Sequence, residues 1–283
     1  MSWQGWPDDW ALVTGASSGI GREFARQLAE RGMHLVLVAR RRERLEELAA
    51  ELRASHGVQT LVACVDLSQP VGAADELQSR LRTEGISIRL LCNSAAQGQW
   101  SRFEDAAAPA YADMIAVNVT ALAVLCQRFL PDLLKFCTSS IINVASPAAY
   151  QPVPFMTVYA ATKAFVHSFS LALHEEWRGR GVHVQTLIPG PTQTEMAGAD
   201  ALAINGYQQL LTPPAMVVTA ALAHLERPVV TTARRLWLQK WYAALLPAPF
   251  LARFAARLFR PPNAGADTAL DTALGCCSQG SRT

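Results

Sequence analysis

Tyr159 and Lys163 stand four residues apart in Tyr159-Ala160-Ala161-Thr162-Lys163, a spacing that sets both on one face of a helix. A phenol with an ordinary pKa near about 10 is a poor base at neutral pH. A neighbouring ammonium favours the phenolate, so the pair can exchange a proton with an oxygen that gains or loses charge. Ser146 lies 13 residues upstream of Tyr159 and offers a hydroxyl to hold the same oxygen. Alone, a Tyr and a Lys four apart occur by chance on many surface helices. Place adds weight: the pair follows an apolar run ending Val144-Ala145-Ser146, and α/β sheets bind ligands at the carboxyl edge of their strands.

A second constellation is Thr14-Gly15-Ala16-Ser17-Ser18-Gly19-Ile20-Gly21, which follows the first apolar run and opens a helical pattern. Glycines there permit a tight turn and let backbone approach a pyrophosphate at a helix N-terminus. An ordinary glycine turn is the bland alternative. Gly15-Ala16-Ser17-Ser18-Gly19 also spells a nucleophile elbow, but no Asp…His order follows in support. At the end of the second run, Ala39-Arg40-Arg41-Arg42 holds no carboxylate before Glu43. NAD binders place an acid there, whereas a guanidinium suits a 2′-phosphate. NADP(H) is therefore the expected cofactor, with Arg40 as its main cation, Arg22 or Arg41 assisting, and Arg42 and Arg44 solvating the helix start.

The elements that must position these groups follow from apolar patterning. Strands are predicted over 10–14, 34–39, 60–66, 89–93, 140–145 and 182–188, and helices over 19–31, 43–55, 75–84, 111–134, 158–178 and 215–225. Short, nearly continuous apolar strands imply burial on both faces. Alternating βα units then predict an α/β fold: a Rossmann-like doubly wound parallel sheet with helices on both faces. A catalytic domain over 1–227, a C-terminal amphipathic helical appendage over 228–262 and a disordered tail over 263–283 are expected.

These motifs, in this order, resemble the short-chain dehydrogenases/reductases over about residues 8–195. TGASSGIG matches that family's TGxxxGxG turn. Asp66-Leu67 falls where the family contacts adenine, and Asn93-Ser94-Ala95-Ala96 stands in place of NNAG, with Ser94 and Ala96 as departures. Ser146, Tyr159 and Lys163 keep the family spacing, and Pro189-Gly190-Pro191-Thr192-Gln193-Thr194 is similar to its nicotinamide-side segment. The resemblance implies cofactor contacts by Gly15, Ser17, Ser18, Gly19, Ile20, Gly21, Asp66, Leu67, Asn93, Ala95, Pro189, Gly190, Thr192 and Thr194. It implies that Tyr159 protonates a nascent alkoxide, that Ser146 holds the oxygen and that Lys163 binds the nicotinamide ribose. Asn118 would kink its helix and hold a water linked to Lys163. The activity implied is hydride transfer between NADP(H) and a small-molecule carbonyl or alcohol, in a homodimer or homotetramer. The alternative is a cofactor-binding scaffold that has lost catalysis.

Met196, Leu202, Ile204, Tyr207, Leu210 and Leu211, with Phe155 and Met156 before Tyr159, suggest an apolar roof and a hydrophobic substrate. Trp237, Trp241 and Leu245 recur every four residues; beyond Pro247 and Pro249, Phe250, Phe254 and Leu258 share one helical face, with Arg253, Arg257 and Arg260 on another. Such a helix can cap a pocket or pack on a second subunit, or make peripheral membrane contact through residues 232–262. A net charge of +2 points to no nucleic-acid partner. Cys64, Cys92, Cys126 and Cys137 lie singly in apolar stretches, Cys276 and Cys277 adjoin in the tail, and no cluster has metal-ligand spacing. His34, His56, His167, His174, His183 and His224 read as structural or solvated. The N-terminus lacks a signal-peptide pattern and no apolar run suggests a spanning helix, so the expected location is cytoplasmic, with membrane association as the alternative.

Overall fold

A computed structural model of the chain describes residues 3, 5–197, 211–233, 243 and 245–260. The first half runs β1 (Trp10–Thr14), α1 (Gly19–Glu30), β2 (His34–Ala39), α2 (Arg42–His56), β3 (Thr60–Cys64), α3 (Pro70–Thr83) and β4 (Ile88–Asn93). The second adds α4 (Ala108–Ile115), α5 (Leu122–Leu133), β5 (Ser139–Val144), α6 (Thr157–Trp177), β6 (Val182–Ile188), α7 (Pro214–Leu222), β7 (Val229–Thr231) and α8 (Ala248–Leu258).

Alternation along the strands explains why their sequences are apolar throughout. In β1, Leu12 packs to one side of the sheet with Val36, Phe129 and Val166, from β2, α5 and α6. Ala11 and Val13 pack to the other side with Phe24, Leu48 and Val218, from α1, α2 and α7. Neighbouring strands pair in parallel in the order β3-β2-β1-β4-β5-β6-β7. The chain winds outward from β1 to β3, returns to β4 beside β1, and then winds the other way. That reversal opens a crevice at the carboxyl ends of β1 and β4, the place where such sheets take ligands. The fold is the doubly wound, Rossmann-like one.

Several boundaries differ from expectation, each for a local reason. α3 begins at Pro70 rather than 75, because a proline is well accommodated in a helix's first turn. β3 ends at Cys64, so Asp66 and Leu67 lie beyond it in the loop. The helix expected over 111–134 is α4 and α5 joined by a π turn, Ala116–Ala121, whose extra residue per turn redirects side chains. The sheet takes β7 from beyond the expected boundary at 227, paired to β6 through Thr186↔Val229 and Ile188↔Thr231.

The stretch Ala108–Leu133 is long and apolar enough to cross a membrane by length and composition, with mean hydropathy 1.5, which the sequence reading did not anticipate. Packing accounts for that character in part: Val117, Leu122, Leu125, Phe129 and Leu133 are buried beneath the sheet. Cys92 and Cys126 are buried as expected, and burial raises the Cys126 thiol to about 12. Cys137, by contrast, is exposed. Leu202, Ile204, Tyr207, Leu210, Trp237, Trp241, Cys276, Cys277 and the tail 263–283 lie outside the described residues.

Candidate active site

Parallel register aligns the ends of three strands: Thr14 pairs with Asn93, and Asn93 with Asn143. Thr14 Oγ1 accepts from the backbone N–H groups of Ser94 and Ala95, both at 3.0 Å, and so ties the loop after β4 to the turn after β1. Gly15 has φ +70°, and a Cβ there would fall 2.9 Å from Ala95 Cα. A Cβ on Gly21 would fall 2.3 Å from Gly15 O. The turn is thus closed to side chains on its inner side, and it opens directly onto α1.

Above it lies a cavity of about 750 Å³, near the upper end for a small-molecule site. Gly15, Ser17, Ser18, Gly19, Ile20, Gly21, Arg40, Asp66, Leu67 and Ala95 line one part of it. Ser146, Tyr159, Lys163, Pro189, Gly190, Thr192 and Thr194 line another. Nineteen site residues were expected, and Asn93 and Asn118 are the two absent from that wall. Asn93 turns into the core, where its amide donates to Asn143 Oδ1 at 2.9 Å; Asn143 in turn donates to Ser170 Oγ at 2.9 Å. Asn118, buried in the π turn, accepts from Gln97 N and donates to Gln97 O, both at 2.8 Å, and to Thr162 Oγ1 at 3.1 Å. Its side chain clamps the loop after β4 to α6 one turn from Tyr159.

α6 positions the chemical groups. Lys163 is 3 % exposed, and its Nζ donates to Val144 O at 2.8 Å, at the end of β5. Burial lowers its pKa to about 8. The same Nζ sits 5.7 Å from the Tyr159 ring centroid. Ser146 Oγ accepts from Ala148 N at 3.2 Å, which leaves its own proton available for donation. Phe155, just before α6, holds a left-handed backbone (φ +66°), a conformation that costs about 1–3 kcal/mol in a non-glycine residue. Met156 lines the cavity as expected, whereas Phe155 does not.

The cationic end differs from the sequence reading. Arg41, rather than Arg40, lies across the phosphate turn, donating to Ser17 Oγ (3.0 and 3.2 Å) and Ser18 Oγ (2.9 Å). Arg22 is drawn away to Glu51. Sequence reasoning also missed Gln97, Gln99, Trp100, Thr232, Ala233 and Glu195 on the cavity wall. Thr232 and Ala233 arrive there because β7 ends beside Gly190. The closed inner side of the turn, the guanidinium over it and the buried ammonium together suit a phosphorylated dinucleotide.

At the far end, α8 forms part of the wall. Leu251 and Ala255 are buried, Trp100 Nε1 donates to Phe259 O at 2.7 Å, and Phe254, Leu258 and Phe259 line the cavity. His174, one of the histidines read as structural, hydrogen-bonds Val184 O through Nδ1.

Residues 9–203 match the model of the short chain dehydrogenase family. The chain belongs to that family. A very-long-chain 3-oxoacyl-CoA reductase of Anas platyrhynchos is 34% identical over 192 residues, 66% of this chain and 61% of that one. The chain thus spans about three fifths of that relative's length. A 7beta-hydroxysteroid dehydrogenase structure superposes with TM-score 0.80 at 27% identity, covering 90% of this chain and 100% of its own. A short-chain dehydrogenase from Sphingobium yanoikuyae, solved in complex with NADPH, superposes with TM-score 0.71 at 32% identity, covering 97% of this chain and 96% of its own.

Proposed function

We propose that this short-chain dehydrogenase uses NADP(H) to interconvert a bulky apolar ketone and its alcohol, with Tyr159 as the acid and base. One observation carries the reading: Ser146, Tyr159 and buried Lys163 share a cavity with the phosphate turn and its arginine. A bound NADPH supplies the hydride. Arg41, with Arg40 beside it on the cavity wall, would hold the 2′-phosphate, and Gly15 to Gly21 would receive the pyrophosphate. Ser146 donates its hydroxyl to the substrate carbonyl oxygen. As charge develops there, Tyr159 passes its phenolic proton to that oxygen, and the Lys163 ammonium stabilises the phenolate left behind. In the oxidative direction each proton moves the other way. Asn118 acts on this chemistry by fixing Gln97 and α6.

The substrate class rests on the rest of the wall, where Trp100, Val153, Met156, Met196, Phe254 and Leu258 present apolar surface. The names of the 3-oxoacyl-CoA and hydroxysteroid relatives support a ketone on a large apolar body. NADPH oxidation screened over long-chain 3-oxoacyl thioesters, ketosteroids, short polar ketones and quinones tests it. Turnover is expected with the first two groups and at least an order of magnitude slower with NADH. Tight nucleotide binding with no turnover on any member would favour the scaffold alternative.

A second reading concerns location. Phe250, Phe254 and Leu258 stay 57%, 60% and 55% exposed along α8, beside exposed Arg253 and Arg257. Apolar and basic rows side by side suit an anionic lipid surface, with the cavity mouth facing the bilayer. Co-sedimentation with phosphatidylserine vesicles is expected for the wild type and to fall in F250S/F254S. Equal recovery of both proteins would refute membrane contact through this helix.

A further inference from the structure

Glu195 is an acid on the cavity wall that the chemistry above does not use. The wall holds two carboxylates among the described residues, Asp66 and Glu195. Asp66 is occupied locally, accepting from Ser68 N at 3.0 Å. Glu195 instead reaches across the fold. Its Oε2 takes Arg41 Nη1 at 2.7 Å and its Oε1 takes Arg44 Nη1 at 2.5 Å. These two guanidinium groups hold its carboxyl below the ordinary carboxylate range, so it is anionic at neutral pH. Arg44, expected only to solvate the start of α2, has a specific partner.

The Arg41 fork is thereby divided. Nε and Nη2 face Ser17 and Ser18, while Nη1 is held by the carboxylate. A 2′-phosphate needs the same guanidinium and brings roughly −1.5 to −2 charges. A phosphate brought to the same guanidinium would lie close to the anionic carboxylate, and the two anions repel. Glu195 also occupies a distinctive place in the chain, three residues past Thr192. Thr192 pairs with Thr212, and Thr212 N donates to Pro191 O at 2.7 Å. Glu195 stands just past this bridge, in the turn Glu195–Ala197, and ties that turn to α2.

We propose that Glu195 is a nucleotide-specificity residue: an internal competitor for the 2′-phosphate, displaced from Arg41 and Arg44 when NADP(H) binds and left in place by NAD(H). This rests on the reading that the phosphate turn and Arg41 receive NADP(H). The competition lowers affinity for the phosphorylated cofactor, whose arrival frees Glu195 from Arg41 and Arg44.

Calorimetric titration with 2′,5′-ADP and 5′-AMP tests this without turnover. E195Q, isosteric and at an exposed position, is expected to bind 2′,5′-ADP about three- to tenfold tighter than wild type, the scale of two exposed ion pairs. Binding of 5′-AMP should change less than twofold. In wild type, 2′,5′-ADP should also speed amide exchange at 195–197, and 5′-AMP should not. Should wild type prefer 2′,5′-ADP while E195Q binds it no tighter, the competitor role is overturned and the cofactor reading stands. Should neither protein distinguish the two nucleotides, both fall. A preference that appears only in E195Q would support the competitor role in its strongest form.

Discussion

Tyr159→Phe is expected to lower turnover by about 10²–10⁴-fold, the range that a positioned proton donor contributes. The substitution removes one oxygen and keeps the ring, so the 5.7 Å approach of Lys163 to the ring and the shape of the cavity wall persist. Nucleotide affinity, measured by calorimetry, should therefore move less than about threefold. Loss of turnover with intact binding separates proton transfer from cofactor binding. A variant retaining more than about a tenth of wild-type turnover would remove Tyr159 from the proton path, since so small a loss is below what general acid catalysis contributes.

Lys163→Met should separate stability from activity. Lys163 is ordinarily protonated up to about 10.5, but burial lowers it to about 8 in the folded chain. Between those values the unfolded chain binds more protons than the folded one, so stability without nucleotide should rise with pH from about 8 to 10.5. Below that window the buried charge costs about 3 kcal/mol, the shift converted at about 1.4 kcal/mol per pH unit. Methionine occupies similar space without charge but gives up the hydrogen bond to Val144 O, worth about 1 kcal/mol. A net gain of about 2 kcal/mol at pH 7 is expected in denaturant unfolding, with the slope above pH 8 abolished. Turnover should fall by about 10²-fold or more, since the phenolate loses its cation. Lower stability in the variant, or a flat wild-type profile between pH 8 and 10, would contradict a buried ammonium. A more stable but less active variant would make the site a case of local instability retained for function.

The frame of the fold was legible because burial on both faces writes itself into sequence. Runs such as His34–Ala39 carry apolar residues at every central position, a pattern that only a sheet between two helix layers requires. β7 escaped notice because Val229–Thr231 is three residues long, too short for periodicity to register. The π turn was invisible because Ala116–Ala121 continues a helical pattern on both sides. Of the site, Ser146, Tyr159 and Lys163 were readable from spacing and lie on one cavity wall.

Side-chain direction at strand ends was harder. β2 ends at Ala39, so no strand pattern says which of Arg40 and Arg41 reaches the phosphate turn; both line the cavity, and Arg41 bonds Ser17 and Ser18. Asn93 closes β4, and its side chain turns into the core toward Asn143. Glu195 meets Arg41 across 154 positions of sequence, and no local pattern encodes such a pairing.

Deuteride transfer tests the central claim most directly. NADPH carrying deuterium at its hydride-donating carbon would be incubated with the best bulky ketone of the panel, and the alcohol analysed by mass spectrometry. The expected product carries one deuterium on the carbinol carbon, forms with wild type and is nearly absent with Tyr159→Phe. Alcohol without deuterium, or equal labelled product from the variant, would contradict hydride transfer from NADPH with Tyr159 as its proton donor.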